Sequence, residues 1–153
     1  MAPAIKNILP YHLELALRFV KSTVPEFTTV NPTFANVSYR NLAILEALDK
    51  DPYFYKDKRY FATWYTLINT MSECPQTFKN YKCPFLAIQG GTDKVVSPMG
   101  VFELYEQSPL SEDDKDIIFI EDMWHAIWHD PEIHGLIEKV REWIDKRMTQ
   151  RST

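Results

Sequence analysis

Glycine is nearly absent from this chain: four residues, at positions 90, 91, 100 and 135. Only Gly90-Gly91 are adjacent, so the sequence offers one glycine-bent loop. Cysteine is rarer still. Cys74 and Cys83 stand nine positions apart, and one pair is a poor disulfide framework for a domain of this size. Two free thiols in a reducing, cytoplasmic setting are expected. No apolar run approaches the ~18 residues of a membrane span. Met1-Ala2-Pro3-Ala4-Ile5-Lys6 has no basic segment followed by a long apolar core, so no signal peptide is expected. Positive charge is also short. Seventeen Lys and Arg against 21 Asp and Glu give a net charge of −4, which leaves no basic stripe to neutralise phosphates and argues against a nucleic-acid partner. The basic cluster from Lys146 to Arg151 reads as a solvated C-terminus. There are no internal repeats and no low-complexity segment.

What remains is a soluble globular composition, 45% hydrophobic and 25% charged over 153 residues, long enough for one domain around one core. Ten prolines punctuate it. From Tyr11, Leu13, Ala16, Leu17 and Val20 recur at helical spacing, until Pro25 ends the run. Residues 25–36 read as an irregular connection. A second helix is expected from Ser38 to Asp49, with Leu42, Leu45 and Leu48 on one face, broken by Lys50-Asp51-Pro52. An aromatic belt follows, and from about Asp57 to Ser72 a third helical pattern places Phe61, Trp64, Tyr65, Ile68 and Met71 on one face. Core packing explains that stripe; an apolar binding pocket lined by Phe61, Trp64 and Tyr65 is the sharper alternative. The first half therefore reads as three helices without a strand.

The second half alternates. Residues 73–83 read as a loop, and 84–88 as a buried strand. Gln89-Gly90-Gly91-Thr92-Asp93 then displays an acid on a loop. A helix of about ten residues follows, with Ser97 as N-cap and Pro98 at its first position, ending near Ser108-Pro109. Ser111–Asp116 is a solvated acidic loop. Ile117–Ile120 is a second buried strand, apolar throughout as parallel strands are. Met123–His129 carries a histidine on the next loop. Asp130-Pro131-Glu132 then opens a last helix, Asp as cap and Pro first, with Ile133, Leu136, Ile137, Val140 and Ile144 as its buried stripe.

Strand, acid loop, helix, strand, histidine loop, helix is the order in which open α/β sheets keep their chemistry at the strands' C-terminal ends. If the two strands are parallel neighbours, the Asp93 carboxylate can accept the Nδ1 proton of His125. That fixes the tautomer and stabilises the imidazolium formed when the ring takes a proton. Such a pair serves to activate a nucleophile. The competing explanations are a turn residue for Asp93, since Gly-Gly-Thr-Asp is good turn chemistry, and a histidine packed between Trp124 and Trp128 for His125. A zinc reading of His125 and His129 fails because Ala126 occupies the position of the glutamate in H-E-x-x-H. No metal and no cofactor are expected. His12 and His134 read as surface histidines, and neither cysteine has a neighbouring base.

The segment from Cys83 through Gln89-Gly90-Gly91-Thr92-Asp93 to Val96 resembles the acid-bearing segment of α/β-hydrolases of the monoacylglycerol lipase and serine aminopeptidase branch. The resemblance continues through Phe102-Glu103-Leu104-Tyr105, Trp124-His125 and Asp130-Pro131-Glu132 to Trp143-Ile144. It implies the C-terminal portion of an α/β-hydrolase fold, two parallel strands with flanking helices, preceded by a helical cap. Residues 1–75 would be the cap or lid region and 76–153 the segment carrying Asp93 and His125. Met1-Ala2-Pro3-Ala4 resembles the residues after the fold's sixth strand. The resemblance also implies a Ser-Asp-His triad that hydrolyses lipophilic acyl esters, with Asp93 as acid and His125 as base. Phe61, Trp64 and Tyr65 would then help to form the acyl pocket.

The family's nucleophile is the serine of G-x-S-x-G, and glycine at 90, 91, 100 and 135 alone cannot supply that motif. The H-G-x-G-like loop of the oxyanion hole is missing too. Ser22, Ser38, Ser72, Ser97, Ser108 and Ser111 lie in the wrong context. The nucleophile would have to come from a second chain or from an N-terminal half outside these residues. Alternatives are a non-catalytic half-fold serving as a binding or assembly module, or a truncated gene product. The helix at 11–21 is a candidate for transient contact with a membrane surface. Two strands alone also leave an open edge at 84–88.

Overall fold

The structure, a computed structural model, describes residues 11–23, 28–29, 35–56 and 59–150. Readings that fall on residues 1–10, on most of 25–36 and on Asp57 lie outside the described residues. In order, the elements are α1 (Tyr11–Thr23), β1 (Thr28–Thr29), α2 (Ala35–Ser38), α3 (Leu42–Lys50), β2 (Arg59–Tyr60) and α4 (Phe61–Glu73). A 3₁₀ helix, Cys74–Asn80, leads on to β3 (Phe85–Gly90), α5 (Met99–Gln107) and β4 (Lys115–Ile120). Two 3₁₀ turns, Ile127–His129 and Pro131–Ile133, precede α6 (His134–Gln150).

β3 and β4 pair in parallel, Phe85 opposite Lys115 and Gly90 opposite Ile120, with α5 as the crossover between them. Alternation along the strands sends side chains to two faces. On one face Phe85 and Ala87 pack with Phe78 and Val101, joined by Ile117, Phe102 and Leu104. On the other, Ile88, Ile118 and Ile120 lie against Met71, Val96, Met123, Ile127 and Leu136. Helices thus cover both faces of a two-stranded sheet: α5 with the 3₁₀ helix on one side, α6 with the end of α4 on the other. This is the α/β arrangement expected from the sequence, with helices α1 to α4 ahead of it.

Several local expectations need correction. Asn41 rather than Ser38 starts the second helix, because its Oδ1 accepts the Ala43 N–H at 3.0 Å; Ser38 ends the short α2. Residues 74–80 are a 3₁₀ helix rather than a loop, since Pro75 sits in its first turn, where a missing N–H costs nothing. The first half does contain strands. Thr28–Thr29 pairs antiparallel with Arg59–Tyr60, a ladder too short to show a period of two. Pro98, in helical conformation, occupies the N-cap of α5 without a side-chain cap; Ser97 contributes only its carbonyl, which accepts from Gly100 N–H at 3.2 Å. The stripe of α6 narrows: Leu136 is 1% exposed, but Ile137 and Ile144 are 50% and 48% exposed. In α1, Ala16 is exposed, together with Tyr11, Leu15 and Phe19. Cys74 and Cys83 are free thiols. No described helix is long and apolar enough to cross a membrane.

One buried cation has a structural task. Lys115, 9% exposed, donates from Nζ to the carbonyls of Tyr105 at 2.8 Å and Ser108 at 3.0 Å. It thus satisfies carbonyls at the C-terminal end of α5, where the helix dipole favours positive charge.

Among the described residues β3 has no strand on its other side. Unpaired N–H and C=O groups along that edge template pairing with another chain. Light scattering of the purified chain should therefore show association that grows with concentration; a monodisperse monomer throughout would refute it. Leu136→Ala, which opens a hole between α6 and the sheet, should cost about 2–5 kcal/mol by chemical denaturation.

Candidate active site

The parallel register makes the loops after β3 and β4 leave at the same sheet edge, and the two are in close contact. Gly91 N–H donates to Ile120 C=O at 2.8 Å and Thr92 Oγ1 to Met123 C=O at 3.0 Å. Glycine is required at 90 by space alone: a Cβ there would lie 2.2 Å from the Met123 carbonyl oxygen and 2.9 Å from that of Trp124. No φ at any glycine is positive, so close approach is the whole reason for that residue.

Asp93 is buried, its side chain wholly so, and its two oxygens divide the work. Oδ1 accepts the backbone N–H groups of Val95 at 2.8 Å and Val96 at 3.0 Å. Oδ2 faces the other way, 2.8 Å from His125 Nδ1, and accepts from Gln89 Nε2 at 3.1 Å. The turn reading and the histidine-partner reading of Asp93 are thus both met geometrically, one by each oxygen. Burial pushes the carboxyl upward in pKa, but the hydrogen bond from His125, the Val96 and Val95 amides and the charge of His125 outweigh it and hold the group below its ordinary value. Asp93 is therefore an ionised, acceptor-only partner at neutral pH, and Nδ1 of His125 must carry the proton between them.

His125 is 5% exposed. With the proton held on Nδ1, the lone pair of a neutral ring lies on Nε2. Among the described residues Nε2 has no hydrogen-bond partner. The ring is thus presented at the C-terminal ends of two parallel strands, with Nδ1 on Asp93. Trp128 is half exposed. His129 belongs to the 3₁₀ turn after His125 and meets the ring of Tyr39 edge-on at 5.5 Å; the two histidines do not share a helix face. Among the described residues no group of three His, Cys, Asp or Glu could hold a metal ion.

The aromatic residues read as a pocket wall lie on α4. Phe61 is 5% exposed and Met71 6%, while Trp64 and Tyr65 are half-buried. Four residues around the pair are not apparent as site residues from the sequence. Gln89 is fully buried; a polar side chain in an otherwise apolar strand is the signal that marks it. Its Oε1 is buried without a partner among the described residues. Ser38, Arg40 and Asp130 are joined across more than eighty residues of chain. Arg40 Nη2 meets Asp130 Oδ1 at 2.7 Å and its Nη1 donates to Asp122 C=O at 3.0 Å. Ala126 N–H donates to Ser38 C=O at 2.9 Å. Asp130 directly precedes the 3₁₀ turn Pro131–Ile133 that leads into α6, its carbonyl accepting the Ile133 N–H at 3.2 Å, and its side-chain oxygens also meet Arg40 and the N–H of Trp124.

Two parallel strands joined by a helical crossover, covered by helices on both faces, form a partial α/β-hydrolase fold. The family model described as "Serine aminopeptidase, S33" matches residues 1–132, and the chain belongs to that family. It is 23% identical over 116 residues to a monoglyceride lipase of Rattus norvegicus, covering 74% of this chain and 38% of the relative. Among solved structures, a monoacylglycerol lipase of Paleococcus ferrophilus superposes with a TM-score of 0.77 at 21% identity, over 92% of this chain and 55% of that one. A soluble variant of a Saccharomyces cerevisiae monoglyceride lipase, in complex with a substrate analog, gives 0.71 at 14% identity, over 89% and 49%. The chain thus spans about half the length of those two structures and less of the rat relative.

Because the folded Asp93 has a lowered pKa, its contribution to stability is present above the unfolded carboxylate value of about 4 and is lost as pH falls through the folded one. Asp93→Asn should therefore destabilise the chain near neutral pH by about 1–3 kcal/mol. The gap between variant and parent should close on titration to low pH. A gap independent of pH in denaturation experiments would contradict this. Gly90→Ala should weaken His125–Asp93 contact more than strand pairing, read as loss of the His125 Nδ1–H proton signal with β3 and β4 amides still protected.

Proposed function

We propose that Asp93 and His125 are the acid and base of a Ser-Asp-His hydrolase site acting on carboxylic esters of lipophilic acyl groups, monoacylglycerols in particular. The nucleophile is supplied by a polypeptide outside these 153 residues. The observation that carries the reading is the buried 2.8 Å contact between His125 Nδ1 and Asp93 Oδ2, in a chain similar to proteins named as monoacylglycerol lipases. In this reading residues 1–75 form the cap and 76–153 the C-terminal segment of the hydrolase fold. Phe61, Trp64 and Tyr65 contribute apolar wall to the acyl site, and the exposed aromatic and aliphatic residues of α1 support transient contact with a lipid surface. Two free thiols support a reducing, cytoplasmic setting.

In this reading the two residues share the proton transfers. Nε2 of His125 removes the proton of an incoming serine hydroxyl as it attacks the ester carbonyl. Asp93 stabilises the imidazolium through Oδ2, and the same Nε2–H then protonates the departing alcohol. Water repeats the cycle on the acyl-enzyme. The absence of G-x-S-x-G from this sequence favours a second reading, a non-catalytic binding or assembly module, or the product of a truncated gene.

Co-expression with a polypeptide carrying the G-x-S-x-G half of a family member separates the two. The assembled protein should hydrolyse monoacylglycerol, and His125→Ala in this chain should lower the rate about 10²–10⁴-fold. Assembly without hydrolysis, or hydrolysis indifferent to His125, would favour the second reading. The 153-residue chain alone should not react with a fluorophosphonate probe; labelling would show that it holds an activated serine of its own.

A further inference from the structure

His125 sits on a segment with little regular structure. Between Ile120, the end of β4, and His134, the start of α6, there are only two short 3₁₀ turns. Such a segment needs outside support to hold a ring within hydrogen-bond distance of a fixed carboxylate. The support comes from Ser38-Tyr39-Arg40, the link between α2 and α3. Ser38 C=O accepts the N–H of Ala126, the residue after the base, at 2.9 Å. Arg40 Nη1 donates to Asp122 C=O at 3.0 Å, three residues before it. Arg40 Nη2 binds Asp130 Oδ1 at 2.7 Å, and Asp130 Oδ2 accepts the N–H of Trp124, the residue before it, at 3.3 Å. Tyr39 closes on His129 ring to ring. Backbone on both sides of His125 is therefore tied, directly or through Asp130, to one three-residue stretch.

We infer that Arg40 is a positioning residue for His125: its guanidinium spans Asp122 C=O and Asp130, fixing the ends of the loop so that Nδ1 stays on Asp93. The inference rests on the reading of His125 as the base. The Asp130 side chain is 1% exposed and that of Arg40 27%, so the pair is sheltered. A planar fork can grip a carbonyl and a carboxylate at once, whereas a lysine ammonium, a compact point charge on a flexible stem, cannot hold both in this geometry. Since Arg40 lies in the helical half, the placement of that half is felt at the base.

The test is spectroscopic and uses the full chain, so its failure is distinct from a failure to find hydrolysis. The Nδ1–H proton of His125 and the exchange rates of the Trp124 and Ala126 amides are followed in Arg40→Met, Arg40→Lys and Asp130→Asn. Arg40→Met and Asp130→Asn should broaden or abolish the Nδ1–H signal and speed exchange at 124 and 126 about 10- to 100-fold. Amides of 85–90 and 115–120 should stay protected. Arg40→Lys should fall between parent and Arg40→Met. An unchanged Nδ1–H signal with unchanged protection at 124 and 126 would overturn the inference. So would equal loss of protection in both strands, because the pair would then hold the whole fold rather than the base. If Arg40→Met does not fold, Arg40→Lys and Asp130→Asn decide by the same two criteria.

Discussion

The parallel pairing of two six-residue strands is the constraint on which the site depends. With Gly90 opposite Ile120, both strands leave the sheet at one edge, and the two loops beyond it are forced into a narrow space. Gly90 admits the Met123–Trp124 backbone where a methyl group would collide with it. Thr92 and Gly91 fasten the two loops together. Asp93 and His125, 32 residues apart in sequence, then meet at 2.8 Å. A slip of one residue in the strand register would turn every strand side chain to the opposite face and carry the acid away from the base. The apolar faces that hold the register, Phe85 and Ala87 on one side and Ile88 and Ile118 on the other, are thus also what places the site.

The acid is tuned by the same crowding. Burial alone would favour its neutral form. Two backbone amides from the turn it initiates, together with the imidazole, overcome that preference. Because Oδ1 is spent on the Val95 and Val96 amides, the carboxylate cannot rotate freely, and Oδ2 stays directed at the ring. Turn formation and ring orientation are one event at this residue, which is why a loop of so few residues can carry a group in a defined position.

The strand pair, the crossover helix, the two loops and the Asp93–His125 partnership are legible in the sequence, because each leaves a local mark: an apolar run, a glycine bend, a polar residue after a strand. Where the determinant is distant, the sequence is silent. Nothing near Arg40 announces Asp130, ninety positions on, and Asp130 followed by proline reads locally as a helix start, with no sign of the arginine it also meets. The two-residue ladder between Thr28–Thr29 and Arg59–Tyr60 is shorter than any period that could reveal it. Along α6, periodicity correctly marks an apolar stripe. It does not tell how much of that stripe the rest of the described chain covers, and Leu136 and Ile144 differ widely in exposure.

That residual exposure has a pattern. The outer edge of β3 is unpaired among the described residues, Ile137 and Ile144 of α6 are about half exposed, and a side chain at Gly135 would meet nothing within 4 Å. Gln89, on β3, keeps a buried Oε1 without a donor among the described residues, a state that costs free energy unless something supplies one. The outer edge of β3 is where an α/β sheet of ordinary width would continue, and the solved lipases that superpose on this chain are about twice the length it covers. These features support one physical view: the interactions that place Asp93 and His125 are local to the strand pair and the Arg40 link, whereas apolar surface and hydrogen-bonding capacity remain available at its border.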